Sequence, residues 1–244
     1  MRKGFHEPVE KPRRFYKAVE TAAADGGHLV LLDGRTLRTP GGKRLLAPTH
    51  ALAELVAQEW AAQGELVEMG QMHATRLANT AVDSIPQARV AIADQVADYA
   101  GSDLLVYFAE EPEALAHRQL ERWGPLLDRA EAEARLSFVR ASGIIHKAQP
   151  QATLDQVRGI ALEQGDFGLA GLAFGAALFG SAVLAIALLR GWIDGQQAFE
   201  LSSLDEAWQQ ERWGVDEEAA ERSARLRDEA LMLHRWFAAL AGGN

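Results

Sequence analysis

The chain has no cysteine, which excludes disulfides, thiolate nucleophiles and Cys-based metal sites, and suits a reducing compartment. It also has no excess of positive charge: 34 acidic residues stand against 25 basic ones, for a formal net charge of −9. Binding to duplex nucleic acid, which needs a basic patch that displaces counterions from phosphates, is therefore not expected. The few clustered cations, Lys11, Arg13, Arg14 and Lys17, read as a solvated N-terminal arm. The signatures of phosphate cradles and nucleophile elbows are missing too: there is no G-x-G-x-x-G, G-x-x-x-x-G-K-[ST] or G-x-S-x-G. The histidines, at His6, His28, His50, His73, His117, His146 and His234, are dispersed without metal-ligand spacing. Neither a metal nor another cofactor is expected.

A cleavable leader is not evident. Met1 to Pro12 is short, charged and proline-containing, with no apolar core for a secretory signal and too little length for a transit peptide. The expectation is a bacterial cytoplasmic protein, or a chain already processed. One segment, Phe167 to Leu189, carries no charge and is long enough to cross a bilayer. Yet Gly168, Gly171, Gly175 and Gly180 interrupt it, and Gly180-Ser181 offers a break and an N-cap before the next apolar run. Two shorter buried helices, without stable membrane insertion, are expected.

The pattern predicts an α+β protein: a small N-terminal antiparallel-sheet domain with a covering helix, residues 1–84, then a larger all-helical C-terminal domain, residues 85–244. Phe15 to Glu20 and His28 to Leu32 read as strands, Asp33-Gly34 as a two-residue hairpin turn, and Arg35 to Thr39 and Lys43 to Ala47 as strands around Pro40-Gly41-Gly42. Thr49 can cap a helix with Leu52, Leu55, Val56 and Trp60 on one face. Trp60 therefore reads as core. Past Asp83-Ser84-Ile85-Pro86 the signal is helical. Ile92, Val96 and Tyr99 form one stripe; Pro112 starts a helix carrying Leu115, Leu120 and Trp123; Thr153-Leu154-Asp155-Gln156 has a capping-box pattern.

The most informative block runs from Ser203 to Ala219. It sets Asp205, Glu206, Asp216, Glu217 and Glu218, with Trp208 and Trp213, on what reads as two helices broken at Gly214. A surface of that kind suits a protein partner. Ser203-Leu204-Asp205-Glu206 also has capping-box spacing, so Glu206 reads as a cap, a partner contact or both. Tryptophan is at home in cores and at interface hot spots alike, which leaves Trp208 and Trp213 open. Asn79 and Asp83, one helical turn apart, could cap, join the two parts of the chain or belong to a binding surface.

Several motifs occur in a fixed order: Arg14-Phe15-Tyr16-Lys17, Leu32-Asp33-Gly34-Arg35-Thr36-Leu37-Arg38-Thr39-Pro40, Glu59-Trp60-Ala61-Ala62-Gln63, Thr75-Arg76-Leu77-Ala78-Asn79-Thr80-Ala81-Val82-Asp83, Asp103-Leu104-Leu105 with Tyr107, Gln119 with Trp123 and Pro125, and the Ser203 block. Together they resemble the ATP12 chaperones, assembly factors for the F1 sector of ATP synthase. The resemblance implies a non-enzymatic chaperone, a monomer when unbound. It would hold the unassembled F1 α subunit and shield its subunit interface until the β subunit replaces it. It implies that the glutamates of the Ser203 block are functionally required, and Asp205, Glu206, Trp208, Trp213, Asp216 and Glu218 are the expected contact residues. The chain departs from the family pattern at His73-Ala74, where Pro-Leu is usual, at Val106-Tyr107-Phe108, where Cys-Tyr-Arg is usual, and at Arg129, where Trp is common. Two other functions compete: an enzyme of unknown chemistry with a polar site between the two domains, using Asp33, Arg35, Asn79 or Asp83, and a membrane-associated scaffold using Phe167 to Leu189.

Overall fold

The structure, a computed structural model, describes residues 12–143, 145–214 and 216–242. His6, Lys11, Val215 and the stretch before Pro12 lie outside the described residues. The N-terminal part is a four-stranded antiparallel sheet: β1 (Val19–Ala24), β2 (Gly27–Leu32), β3 (Arg35–Thr36) and β4 (Leu46–Ala47). The first strand is shifted from the expected Phe15 to Glu20: it begins at Val19 and runs on to Ala24, because the ladder to β2 extends to Ala24 opposite Gly27 and outweighs the weak strand preference of its alanines. Asp33 and Gly34 both take positive φ, 49° and 76°, the left-handed pair that a two-residue hairpin needs. Beyond β3 the chain stays paired with itself, Leu45 N–H donating to the Leu37 carbonyl at 3.0 Å. β4 then returns alongside β2.

Helix α1 (His50–Ala61) covers this sheet, capped as expected by Thr49, whose hydroxyl accepts from Leu52 N–H at 3.1 Å. Its apolar face, Leu52, Leu55, Val56 and Trp60, is buried. The Trp60 ring packs edge-on against Tyr16 at 5.5 Å between centroids.

The rest is helical: α2 (His73–Asp83), α3 (Ile85–Gly101), α4 (Glu113–Ala134), α5 (Gln151–Glu163), α6 (Asp166–Phe179), α7 (Ala182–Leu189), α8 (Gly195–Ser202), α9 (Leu204–Trp213) and α10 (Glu217–Ala241). A two-stranded parallel pair, β5 (Tyr107–Phe108) with β6 (Ala141–Ser142), interrupts them. The long apolar run is two helices, as expected. Gly180 ends α6 at φ 61°, and Ser181 caps α7 by accepting from Leu184 N–H at 3.0 Å. Among the described residues no helix is long and apolar enough to cross a membrane.

These two helices form the centre. α6 meets α2, α3, α7 and α10, while α10 also lies on α8 and α1. Close approach requires glycine here: a Cβ on Gly171 would stand 2.8 Å from Phe237 Cε1, and one on Gly175 2.8 Å from Leu233 Cδ2. Buried side chains run without a gap from Val30 and Leu32 of the sheet through α1 and α2 into α6 and α7.

Two local expectations are corrected. α5 starts at Gln151, not at Thr153, with Pro150 at its N-cap, because the Thr153 hydroxyl donates to the Ser137 carbonyl at 2.6 Å and does not cap. On α4, Leu120 is 53% exposed while Gln119 is 1% exposed. A polar residue takes the core position because it has hydrogen-bond partners there.

Candidate partner-binding surface

Many residues of the quoted motifs fasten helices and strands to one another. Glu59 lies on α1, yet it caps α2: its carboxylate accepts from Ala74 N–H (2.8 Å), Thr75 N–H (2.7 Å) and Thr75 Oγ1 (2.7 Å). Gln63 accepts from Glu68 N–H at 2.7 Å, and the Tyr16 hydroxyl donates to the Trp60 carbonyl at 2.6 Å. Arg14 donates to the Gln63 carbonyl and lies over the Tyr16 ring at 4.6 Å. Asp33 accepts from the main-chain N–H groups of Ala18 and Lys17, which hold its carboxyl below the usual range. Asp83 accepts from Thr39 Oγ1 and Gly41 N–H, both at 2.8 Å. Asp103 is fully buried. It accepts from Ser181 Oγ (2.7 Å), Val183 N–H (3.0 Å) and Leu105 N–H (3.1 Å), while burial pushes its carboxyl up to about 6.

The same holds where α4 meets α8 and α9. Buried Gln119 accepts from Ala109 N–H at 2.7 Å and donates to Asp205 Oδ1 at 2.7 Å, and Trp123 Nε1 donates to the Leu201 carbonyl at 3.0 Å. Asp205, expected at the surface, is half-buried and forms part of this joint.

The Ser203 block is two helices as expected, but not a capping box. Ser203 has φ −106° and ψ 19°, and its hydroxyl donates back to the Phe199 carbonyl at 2.7 Å. A single residue turns α8 into α9, so the forward-facing extended cap geometry is not available. Glu206 is therefore free of a capping role. It lines a cleft of about 460 Å³ with Arg118 and Arg122 of α4, Glu200 of α8, and Gln210 and Glu211 of α9. The other charges there are matched: Arg118 grips Glu211 with two bonds, 2.9 and 3.0 Å, and Arg122 meets Glu200 at 3.2 Å. The Arg118 hydrogen bond draws the Glu211 carboxyl below its ordinary range. Glu206 is exposed, and among the described residues no hydrogen bond or ion pair engages it. The cleft carries one net negative charge.

Trp208 is half-buried between two guanidinium groups, Arg212 at 4.1 Å and Arg118 at 5.3 Å from its ring. Trp213, at the end of α9, is 78% exposed. Asp216 caps α10, accepting from Ala219 N–H at 2.7 Å, and Glu217 and Glu218 stand exposed in the first turn. Among the described residues no cluster of His, Asp and Glu has the geometry to hold a metal ion.

The model of the family described as ATP12 chaperone protein matches residues 13–131. The crystal structure of Atp12 from Paracoccus denitrificans is 40% identical and superposes with a TM-score of 0.86, covering 93% of this chain and 97% of that one. The chain belongs to the ATP12 family of chaperone proteins. The Atu1473 protein of Agrobacterium tumefaciens is also similar: 37% identical, TM-score 0.88, with 97% of this chain and 92% of that one covered. Protein atp12, mitochondrial, of Schizosaccharomyces pombe is 28% identical over 228 residues, 88% of this chain and 78% of that protein.

Within this family frame the departures sit in the fold's joints. His73 Nδ1 lies 3.3 Å from Glu229 of α10, Ala74 is buried with its N–H on Glu59, Phe108 packs near Trp123 at 5.9 Å, and Arg129 lies 5.0 Å over the Trp192 ring while bonding Glu133. Of the rival enzyme residues, Asp33 and Asp83 are both engaged by main-chain amides. Sequence reasoning missed the cleft's other charges, Arg118, Arg122, Glu200 and Glu211. The one available signal was the Arg118/Arg122 pair, four residues apart beside Gln119 and Trp123.

Proposed function

We propose that this ATP12-family chaperone binds the unassembled F1 α subunit through α9, the start of α10 and the cleft they form with α4, and shields that subunit's interface until β replaces it. The observation that carries the reading is Glu206, an unpaired carboxylate in a cleft whose other charges are matched. A basic side chain on the client completes that set. Trp213 supplies an exposed aromatic anchor of the kind that dominates interface energies; Trp208, Asp216 and Glu218 belong to the same two helices, and half-buried Asp205 fastens α9 to Gln119 of α4. An unassembled subunit exposes an interface-sized apolar patch, so a transient partner need only cover it more weakly than the final one. The mechanism uses no cofactor and no catalysis, and acts where F1 is assembled, in the bacterial cytoplasm or the mitochondrial matrix.

Titration calorimetry with isolated F1 α subunit, beside thermal melts, tests this. Because the Glu206 side chain makes no bond among the described residues, Glu206→Gln should leave Tm unchanged and weaken binding by about 1–2 kcal/mol, roughly 5- to 30-fold. Trp213→Ala should behave alike. Unchanged affinity in both variants removes this surface from the interface.

A further inference from the structure

Among the described residues a second unpartnered feature lies in the sheet. β1 is an edge strand, paired with β2 on one side only. Asp33 N–H donates to the Ala18 carbonyl at 3.0 Å, which sets the phase of the ladder. Opposite pairs 20/31, 22/29 and 24/27 exchange their main-chain bonds, and Val19, Thr21 and Ala23 turn theirs outward. Among the described residues nothing meets those outward N–H and C=O groups. Natural edges are blunted by lysine, proline, bulges or a covering segment. β1 has the sequence VETAAA, regular pairing throughout, and a start held rigid by Asp33 on the amides of Lys17 and Ala18.

We propose that this edge takes up an extended segment of the client subunit as an added strand. The proposal rests on the chaperone reading above and adds a second point of attachment. The side chains bordering the edge define the segment. On the outer face, Ala22 and Ala24 continue into half-buried Leu29, Leu31 and Leu46, a shallow apolar surface. On the other face Thr21 donates to Glu54 Oε1 of α1 at 2.5 Å, and Glu20 stands exposed on the outer one. The incoming strand therefore carries small apolar residues at alternate positions and neutral or basic residues near the two glutamates. A second copy of this chain fits less well. The edge is about 20 Å long and one strand wide, well below the roughly 800 Å² per partner of a stable dimer, and it would join two chains of net charge −9. As a second contact for a client already held at the cleft, the same ladder gains from high effective concentration.

Residue-resolved amide exchange by NMR on the full chain, free and saturated with purified F1 α subunit, decides the matter. In the free chain the amides of Val19, Thr21 and Ala23 should exchange fast while those of Glu20, Ala22 and Ala24 are protected. In the complex the first set should slow by tenfold or more, giving an unbroken protected strand. Ala23→Pro removes an outward donor and no bond to β2, so it should melt with wild type and bind α about fivefold more weakly. A complex in which the three amides still exchange fast overturns the added strand and leaves the chaperone reading intact. Protection already present in the free chain also overturns it, since the chain's own residues or a second copy would then cover the edge. No complex with α at all removes the chaperone reading and this proposal together.

Discussion

Glu59→Ala tests whether a side chain on one helix sets the start of the next. α2 has Met72 at its N-cap, which makes no side-chain cap bond, so the Glu59 carboxylate is what meets the first free N–H groups. Removing it orphans the N–H of Ala74, 0% exposed, and of Thr75, 1% exposed, together with the Thr75 hydroxyl. A buried unsatisfied donor costs about 1–3 kcal/mol, and a lost N-cap typically ~1 kcal/mol. Glu59 is itself only half-buried, so water recovers part of the loss and the net lands at about 3 kcal/mol. In a chain of this size that lowers Tm by roughly 6–12 °C. Urea unfolding should show the same loss as a lower midpoint at unchanged slope. Glu59→Gln, which keeps one acceptor, should lose about half as much. In a double-mutant cycle, Thr75→Val should cost less in the Glu59→Ala background than in wild type, by about 1 kcal/mol. A Glu59→Ala protein melting within about 2 °C of wild type would refute the reasoning, since solvent would then cap α2 equally well.

Asp103 makes stability depend on pH. Its carboxyl titrates at about 6 in the fold and near 3.8 unfolded, so folding takes up a proton between those values. The contribution is fully present below about 3.8 and is lost as pH rises to about 6. Relative to Asp103→Asn, wild type should therefore lose roughly 2 kcal/mol between pH 4 and pH 7 in urea melts, and a flat difference would contradict the assignment. Gly195→Ala places a Cβ 2.7 Å from the Ala230 carbonyl oxygen and 2.9 Å from Leu231 Cα, backbone that cannot swing aside, so α8 must lift off α10 at about 1–3 kcal/mol, measurable as a lower Tm. Trp60→Ala empties the space against Tyr16 and should cost about 3–5 kcal/mol, with loss of folded protein ahead of any selective loss of client binding; a variant that melts like wild type but fails to bind would move Trp60 to the interface.

What the sequence by itself determined is local. The Asp33-Gly34 turn, the Thr49 cap and the Gly180-Ser181 break each depend on interactions spanning a few residues, and each stands where the pattern placed it. The same is true of the buried face of α1, set by its apolar spacing, and of α7, which is buried from Ala182 to Leu188 because it is apolar all round. The ordered motifs marked the family, yet not what their residues do. Only the tertiary structure showed that Glu59, Asp83, Asp103 and Gln119 tie one element to another across stretches of 10 to 86 residues. It also overruled two capping patterns: the Thr153 hydroxyl bonds the Ser137 carbonyl that packing brings to it, and the Ser203 hydroxyl bonds back to Phe199, four residues earlier at the end of α8. For the same reason the cleft at Glu206 was invisible in one dimension: its charge depends on Arg118 and Arg122 reaching Glu211 and Glu200 from another helix, a pairing set by how the helices pack and not by spacing along the chain.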